Sequence, residues 1–154
     1  MERTLIILKP SAVARGLIGE IVSRLEKKGL SFVGLKMMQL SDTLLEQHYS
    51  HLAHKPFFAS IKASMKRTPV VVACVQGKDS VAVVRQLAGV TNGREAAPGT
   101  IRGDFSMSVS ENIIHASDSP ENALIEINRF FHPEEIFEYR CVLSEVLYAP
   151  DETI

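Results

Sequence analysis

The chain carries almost no surplus charge: 17 Lys and Arg stand against 18 Asp and Glu, a formal net charge of −1. No global field gathers nucleic acid or anionic lipid, so any polyanion site has to be built locally. Cysteine is scarce as well. Cys74 and Cys141 lie far apart, and Cys74 sits inside an apolar run, which reads as a buried thiol. Neither a disulfide framework nor a cysteine metal site follows from such a pair. Long hydrophobic runs are missing too. Met1-Glu2-Arg3 leads into a five-residue apolar run closed by Lys9-Pro10, too short for a signal peptide or a membrane span. A reducing, cytoplasmic setting is expected. Neither G-x-x-x-x-G-K-[ST] nor G-x-G-x-x-G occurs, so a phosphate would not be held by a known glycine-rich cradle. Internal repeats and linkers are also absent.

What is present is a chain of 154 residues, 45% apolar and 23% charged, the profile of one soluble domain spanning 1–154 with a sizeable core. Thr4-Leu5-Ile6-Ile7-Leu8 is a continuous apolar run and reads as a strand buried on both faces. A loop, residues 9–16, precedes a helix over 17–28 with Leu17, Ile18, Ile21, Val22 and Leu25 in one stripe, stopped by Gly29. Residues 30–40 read as a strand with Val33, Leu35 and Met37 on one face. A helix follows with Leu44, Leu45, His48, Tyr49 and Leu52, for which Thr43 and Glu46 have capping-box spacing. Pro56 opens a short helix carrying Phe57, Phe58, Ile61 and Met65. Pro69 to Val75 is a third buried strand, and a helix bearing Val81, Val84, Leu87 and Ala88 ends at Gly89. No period survives from Val90 to Met107, which marks a functional or disordered loop. A brief strand at 112–115 and a helix from Pro120 to about Phe131, with Leu124, Ile127 and Phe131 inward, precede a weakly patterned tail from Tyr139 to Ile154. Without the extra helices the order is βαββαβ: an α+β, ferredoxin-like antiparallel sheet covered by helices on one face, with a long loop before the last strand.

Several side chains invite chemistry. His115 ends an apolar run beside a helix that begins at Ser119-Pro120-Glu121, where free N–H groups favour an anion; an ordinary corner histidine is the other reading. Lys9, Arg85 and Arg102, with Thr91, would suit phosphates if they converge, but each arginine also reads as a solvated surface charge. Phe57 and Phe58 are adjacent, so one should be partly exposed, either to stack on a base or to meet another subunit. His48, His51 and His54 have no carboxylate or cysteine at ligand spacing and read as a solvated face rather than a metal site.

Asn112-Ile113-Ile114-His115-Ala116-Ser117-Asp118 resembles the N-x-x-H-[GA]-S-D active-site signature of nucleoside diphosphate kinases. The likeness covers nearly the whole chain. Thr4 to Pro10, Gly16 to Ile21, His48-Tyr49, Lys55 to Phe58, Thr91-Asn92, Pro98 to Phe105 and Phe131 to Glu135 stand in the family's order and spacing. The resemblance implies that His115 is a phosphorylated nucleophile, passing the γ-phosphate of a nucleoside triphosphate to a nucleoside diphosphate by a ping-pong mechanism. It implies that Glu126 orients the imidazole, that Ser117 supports that carboxylate, and that Lys9 and Tyr49 surround the transferred phosphate. Arg85, Thr91 and Arg102 match phosphate ligands, and Phe57 and Val109 the two sides of a base slot. Lys9 and Asn112 match partners of the sugar 3′-hydroxyl. Mg2+ is expected to arrive on the nucleotide phosphates, with no metal ligands from the protein. A homo-oligomer, hexamer or tetramer, is implied, with no membrane and no specific nucleic-acid partner.

The chain departs from the common pattern at Ala116 for glycine, at Ser11-Ala12 for an aspartate-led pair and at Gly93 for a frequent proline. Phe130 and Val146 stand where many relatives carry tryptophan, of which this chain has none. These changes bear on loop stability, tail packing and assembly. Two other readings compete: a single-stranded nucleic-acid binder using an open sheet face, and a family member kept as a scaffold after losing its chemistry.

Overall fold

The computed structural model describes residues 1–139 and 141–152; Arg140, Thr153 and Ile154, part of the weakly patterned tail, lie outside the described residues. The first half runs β1 (Glu2–Leu8), α1 (Pro10–Ala14), α2 (Ile18–Lys28), β2 (Ser31–Met38), α3 (Asp42–His48) and α4 (Phe58–Met65). The second runs β3 (Val70–Gly77), α5 (Ser80–Ala88), α6 (Ile101–Phe105), β4 (Ile114–Ala116), α7 (Pro120–Phe130) and α8 (Ser144–Leu147). Short 3₁₀ turns occupy Ser50–Leu52, Pro133–Glu135 and Pro150–Glu152. The sheet order is β2-β3-β1-β4 and every neighbouring pair is antiparallel, as the βαββαβ reading requires.

The continuous apolar run of β1 explains how the layers close. Ile6 and Leu8 point into one cluster with Ile21, Leu25, Val84, Ala88 and Ile101. Leu5 and Ile7 point into another with Leu45, Met65, Ile127 and Phe130. Each fully buried aliphatic side chain of this kind contributes about 1.5–3 kcal/mol. Both faces of the sheet are therefore covered, and the expectation of one open face is wrong. The nucleic-acid reading loses the surface it needed.

Other departures have local causes. Leu35 and Met37 do not share a face with Val33: the register skips between Phe32 and Gly34, so Val33 bulges into the core while Leu35 and Met37 are exposed. α3 is capped by Ser41, whose hydroxyl accepts from Leu44 N at 3.1 Å, so the Thr43–Glu46 capping box does not form. α4 begins at Phe58, two residues after Pro56. Five-residue helices, α1 and α6, occupy stretches expected to be loop. On α7 the inward residues are Ala123, Ile127 and Phe130, and Leu124 is exposed. Gly29 ends α2 as expected, at φ 104°. No helix among the described residues is long and apolar enough to cross a membrane.

Candidate active site

β4 is only three residues long, and its entry is bent. Ile113, a β-branched residue, has φ 73°, and Ile114 N donates to Asn112 O at 2.8 Å, a tight turn that an isoleucine adopts at a cost. Neighbours hold it there. Lys9 N donates to Ile113 O at 2.9 Å. The Arg102 guanidinium donates to Asn112 O at 3.2 Å, Gly89 O at 2.7 Å and Ile114 O at 2.7 Å. Burial, then the neighbouring Arg85 charge, push the Arg102 pKa down to about 10. Arg102 thus uses three of its five N–H donors on backbone carbonyls, two at the bend and one at the end of α5, leaving two for a ligand.

The bend delivers His115 to Glu126, in the second turn of α7. His115 Nε2 lies 3.0 Å from Glu126 Oε2, and Ser117 Oγ donates to the same oxygen at 2.5 Å. Burial raises the Glu126 pKa, but the His115 bond and charge, the Ser117 bond and the nearby His48 outweigh it and leave the carboxyl below its ordinary value. An ionised carboxylate only accepts, so Nε2 carries a proton, and a neutral ring then has its lone pair on Nδ1.

Around this pair, Lys9 Nζ donates to Asn112 Oδ1 at 2.6 Å, and Asn112 Nδ2 donates to Val109 O at 2.8 Å. Burial, then Arg102, lower the Lys9 pKa to about 8 against the opposing pull of Glu111. Burial and Glu126 raise the Tyr49 phenol to about 12, so it remains a neutral hydroxyl. Phe57, the N-cap residue of α4, and Val109 are each 48% exposed. Arg85 and Thr91 are exposed as well, and Phe57 and Thr91 make no side-chain hydrogen bond or ring contact among the described residues. Hydrogen bonds therefore join His115, Glu126 and Ser117, and separately Lys9, Asn112 and Val109, with Arg102 bracing the bend between them.

Glu111 and Arg129 were not singled out from the sequence, and His48, read there as part of a solvated face, is buried because it lies on the apolar stripe of its helix. Glu111 accepts from Ser64 Oγ at 2.6 Å and from Arg67 Nη2 at 2.7 Å, tying α4 to the 109–112 segment. His48 is buried with its ring 4.6 Å from that of His115, and Arg129 Nη1 lies 3.2 Å from His48 Nδ1. The signal for His48 was its place in the apolar stripe of its helix. His51 and His54 are exposed, so the three histidines do not converge. His48, His115 and Glu126 instead bring ligand-type atoms within 4.8 Å of one another. Two imidazoles suit a transition metal rather than a hard cation such as Mg2+, and the Arg129 charge at His48 Nδ1 opposes any cation there. The cations Lys9, Arg85 and Arg102 suit phosphate oxygens.

A nucleoside diphosphate kinase family profile matches residues 2–136. A nucleoside diphosphate kinase of Parabacteroides distasonis is 62% identical over 152 residues, 99% of each chain. One of Pyrococcus horikoshii is 56% identical over 141 residues, 90% of each chain. The structure of a halophilic nucleoside diphosphate kinase from Halobacterium salinarum in complex with CDP superposes with a TM-score of 0.93 at 41% identity, covering 96% of this chain and 99% of that one.

Proposed function

The chain belongs to the nucleoside diphosphate kinase family and transfers the γ-phosphate of a nucleoside triphosphate to a nucleoside diphosphate, and we propose which of its residues carry that reaction out. His115 is the nucleophile. The observation that carries this assignment is the 3.0 Å contact of Nε2 with Glu126, which leaves the Nδ1 lone pair free. Nδ1 forms a bond to the γ-phosphorus as the bond to the β–γ bridging oxygen breaks, and the nucleoside diphosphate departs with that electron pair. The phosphorylated ring keeps its Nε2 proton and is cationic, and the Glu126 carboxylate balances that charge. A second nucleoside diphosphate reverses the step through its terminal oxygen, so donor and acceptor use one pocket in turn.

In this reading Ser117 holds Glu126, and Lys9 and Tyr49 face the transferred group. Arg85, Thr91 and Arg102 bind phosphates. The base lies between Phe57 and Val109, where stacking tolerates every base, and Lys9 and Asn112 meet the sugar 3′-hydroxyl. The reaction needs a divalent cation, which we take to be Mg2+; it supplies charge neutralisation of the phosphates to which it is bound. We further infer one kinase domain over 1–154, a phosphoprotein intermediate, a cytoplasmic location and a homo-oligomer, hexamer or tetramer.

The test is direct. Radiolabelled ATP should leave an acid-labile phosphate on the protein, and GDP should remove it as GTP. His115→Ala should take up none. A wild-type protein that forms no adduct is a scaffold without the chemistry, and a His115→Ala variant that labels normally moves the nucleophile elsewhere.

A further inference from the structure

We propose that Arg129 and His48 are positioning residues for His115: the guanidinium fixes the proton of His48 on Nε2, so His48 cannot compete for the carboxylate that orients the nucleophile. The inference rests on His115 being the phosphorylated group.

The geometry is specific. Arg129 Nη1 stands 3.2 Å from His48 Nδ1, and a guanidinium only donates, so Nδ1 is an acceptor and the proton of the neutral ring sits on Nε2. Nδ1 also lies 3.9 Å from Glu126 Oε1. A proton on Nδ1 would turn that approach into a hydrogen bond and draw Glu126 away from His115. With a lone pair there instead, the carboxylate is left to His115 and Ser117, both on Oε2. Glu126 and Arg129 are three residues apart on α7, the spacing that sets two side chains on one helix face.

This arrangement leaves the second nitrogen of His48 as a buried donor, which is costly. Its side chain is 2% exposed, and Nε2 has no hydrogen-bond partner among the described residues. Its ring makes edge contacts with His115 at 4.6 Å, Tyr49 at 4.7 Å and Phe130 at 5.2 Å. A phenylalanine would fill that space without burying an unpaired N–H, so packing alone does not account for a histidine. Burial, then the charges of His115, Arg129 and His51, against Glu126, hold the His48 pKa down at about 3. The ring therefore adds no positive charge beside an imidazole that becomes cationic when phosphorylated.

The experiment combines imidazole nitrogen NMR with rapid-quench labelling by ATP. In the wild-type protein His48 should show a protonated Nε2 and a hydrogen-bonded, unprotonated Nδ1; a protonated Nδ1 overturns the proposal with no variant needed. Arg129→Leu should give mixed His48 tautomers and label His115 roughly ten- to a hundredfold more slowly, as expected for a misplaced reacting group, with ATP affinity unchanged. Arg129→Lys, which still donates, should recover most of the rate. Wild-type labelling by a folded Arg129→Leu also overturns the proposal, and if that variant does not fold the wild-type tautomer decides. A wild-type protein that never labels defeats the nucleophile assignment instead, whatever the His48 tautomer.

Discussion

Ser117 Oγ donates to Glu126 Oε2 at 2.5 Å, the oxygen that also faces His115 Nε2. The same hydroxyl accepts from Leu5 N at 3.3 Å, so one buried group joins β1, the end of β4 and the carboxylate. Ser117→Ala removes a charge-assisted bond and leaves Leu5 N without that partner. The expected cost is about 1–3 kcal/mol in urea unfolding, with labelling of His115 slowed roughly tenfold. Unchanged stability and rate together would show that the shared oxygen matters to neither.

Phe57 is exposed at the start of α4 and makes no ring contact among the described residues, as the proposed base-stacking wall should before ligand arrives. Phe57→Ala should raise KM for adenine, guanine and cytosine nucleotides alike by roughly five- to a hundredfold, the range of one aromatic–base stack. Unchanged KM values would remove the ring from the slot.

Glu111 bridges Ser64 and Arg67 of the α4 region to the segment that carries Val109 and Asn112, and so links the two walls of the proposed slot. The Arg67 bridge is solvent-screened, with side chains 56% and 38% exposed, and is worth at most about 1 kcal/mol. Glu111→Ala should therefore raise nucleotide KM only by about two- to fivefold with kcat retained. A fall in kcat without a change in KM would place Glu111 in the chemistry rather than in the walls.

The site residues readable in the sequence were those that the family resemblance carries: Asn112 to Ser117 lie within one short signature, and Glu126 on α7 reaches His115 and Ser117. β1 was legible because an unbroken apolar run implies burial on both faces, although the consequence, a sheet covered twice, was not drawn. Long-range and backbone-specific features were hidden. Nothing in a β-branched residue announces φ 73° at Ile113, since that turn is imposed by Arg102 and Lys9 from elsewhere in the chain. The five-residue α1 and α6 are too short to show a helical period. The bulge at Val33 inverts the alternation from which Leu35 and Met37 were read.

The chain has closed the space that a side chain at Gly93 would use. Gly93 N donates to Ser108 O at 3.2 Å, and a Cβ on Gly93 would overlap the Ser106 carbonyl and side chain. Gly93→Pro loses that donor and forces the 90–107 segment outward. The expected loss is about 2–4 kcal/mol, read as a lowered Tm. A variant at least as stable as the wild type would mean that the segment repacks freely.

Lys9 gives the site a defined pH response. Its pKa falls from 10.5 to about 8, because burial and then Arg102 disfavour its charge while Glu111 favours it. Between those values the unfolded chain binds the proton more tightly, so this group makes folding more favourable as pH rises through the window, and below it the buried charge is a net cost. Lys9→Met should therefore be more stable than the wild type at pH 7 by about 1–3 kcal/mol, with the gap closing toward pH 10.5. The phosphate site needs the opposite state: kcat/KM should fall above about pH 8 as Lys9 loses its charge. Glu111→Ala should move that fall to lower pH, because it removes the carboxylate that raises the Lys9 pKa. Paired unfolding curves and rate profiles from pH 6 to 10.5 test both signs at once. A Lys9→Met variant less stable at pH 7, or an alkaline fall unmoved by Glu111→Ala, would mean that the Lys9–Asn112 bond rather than the buried charge governs the ammonium.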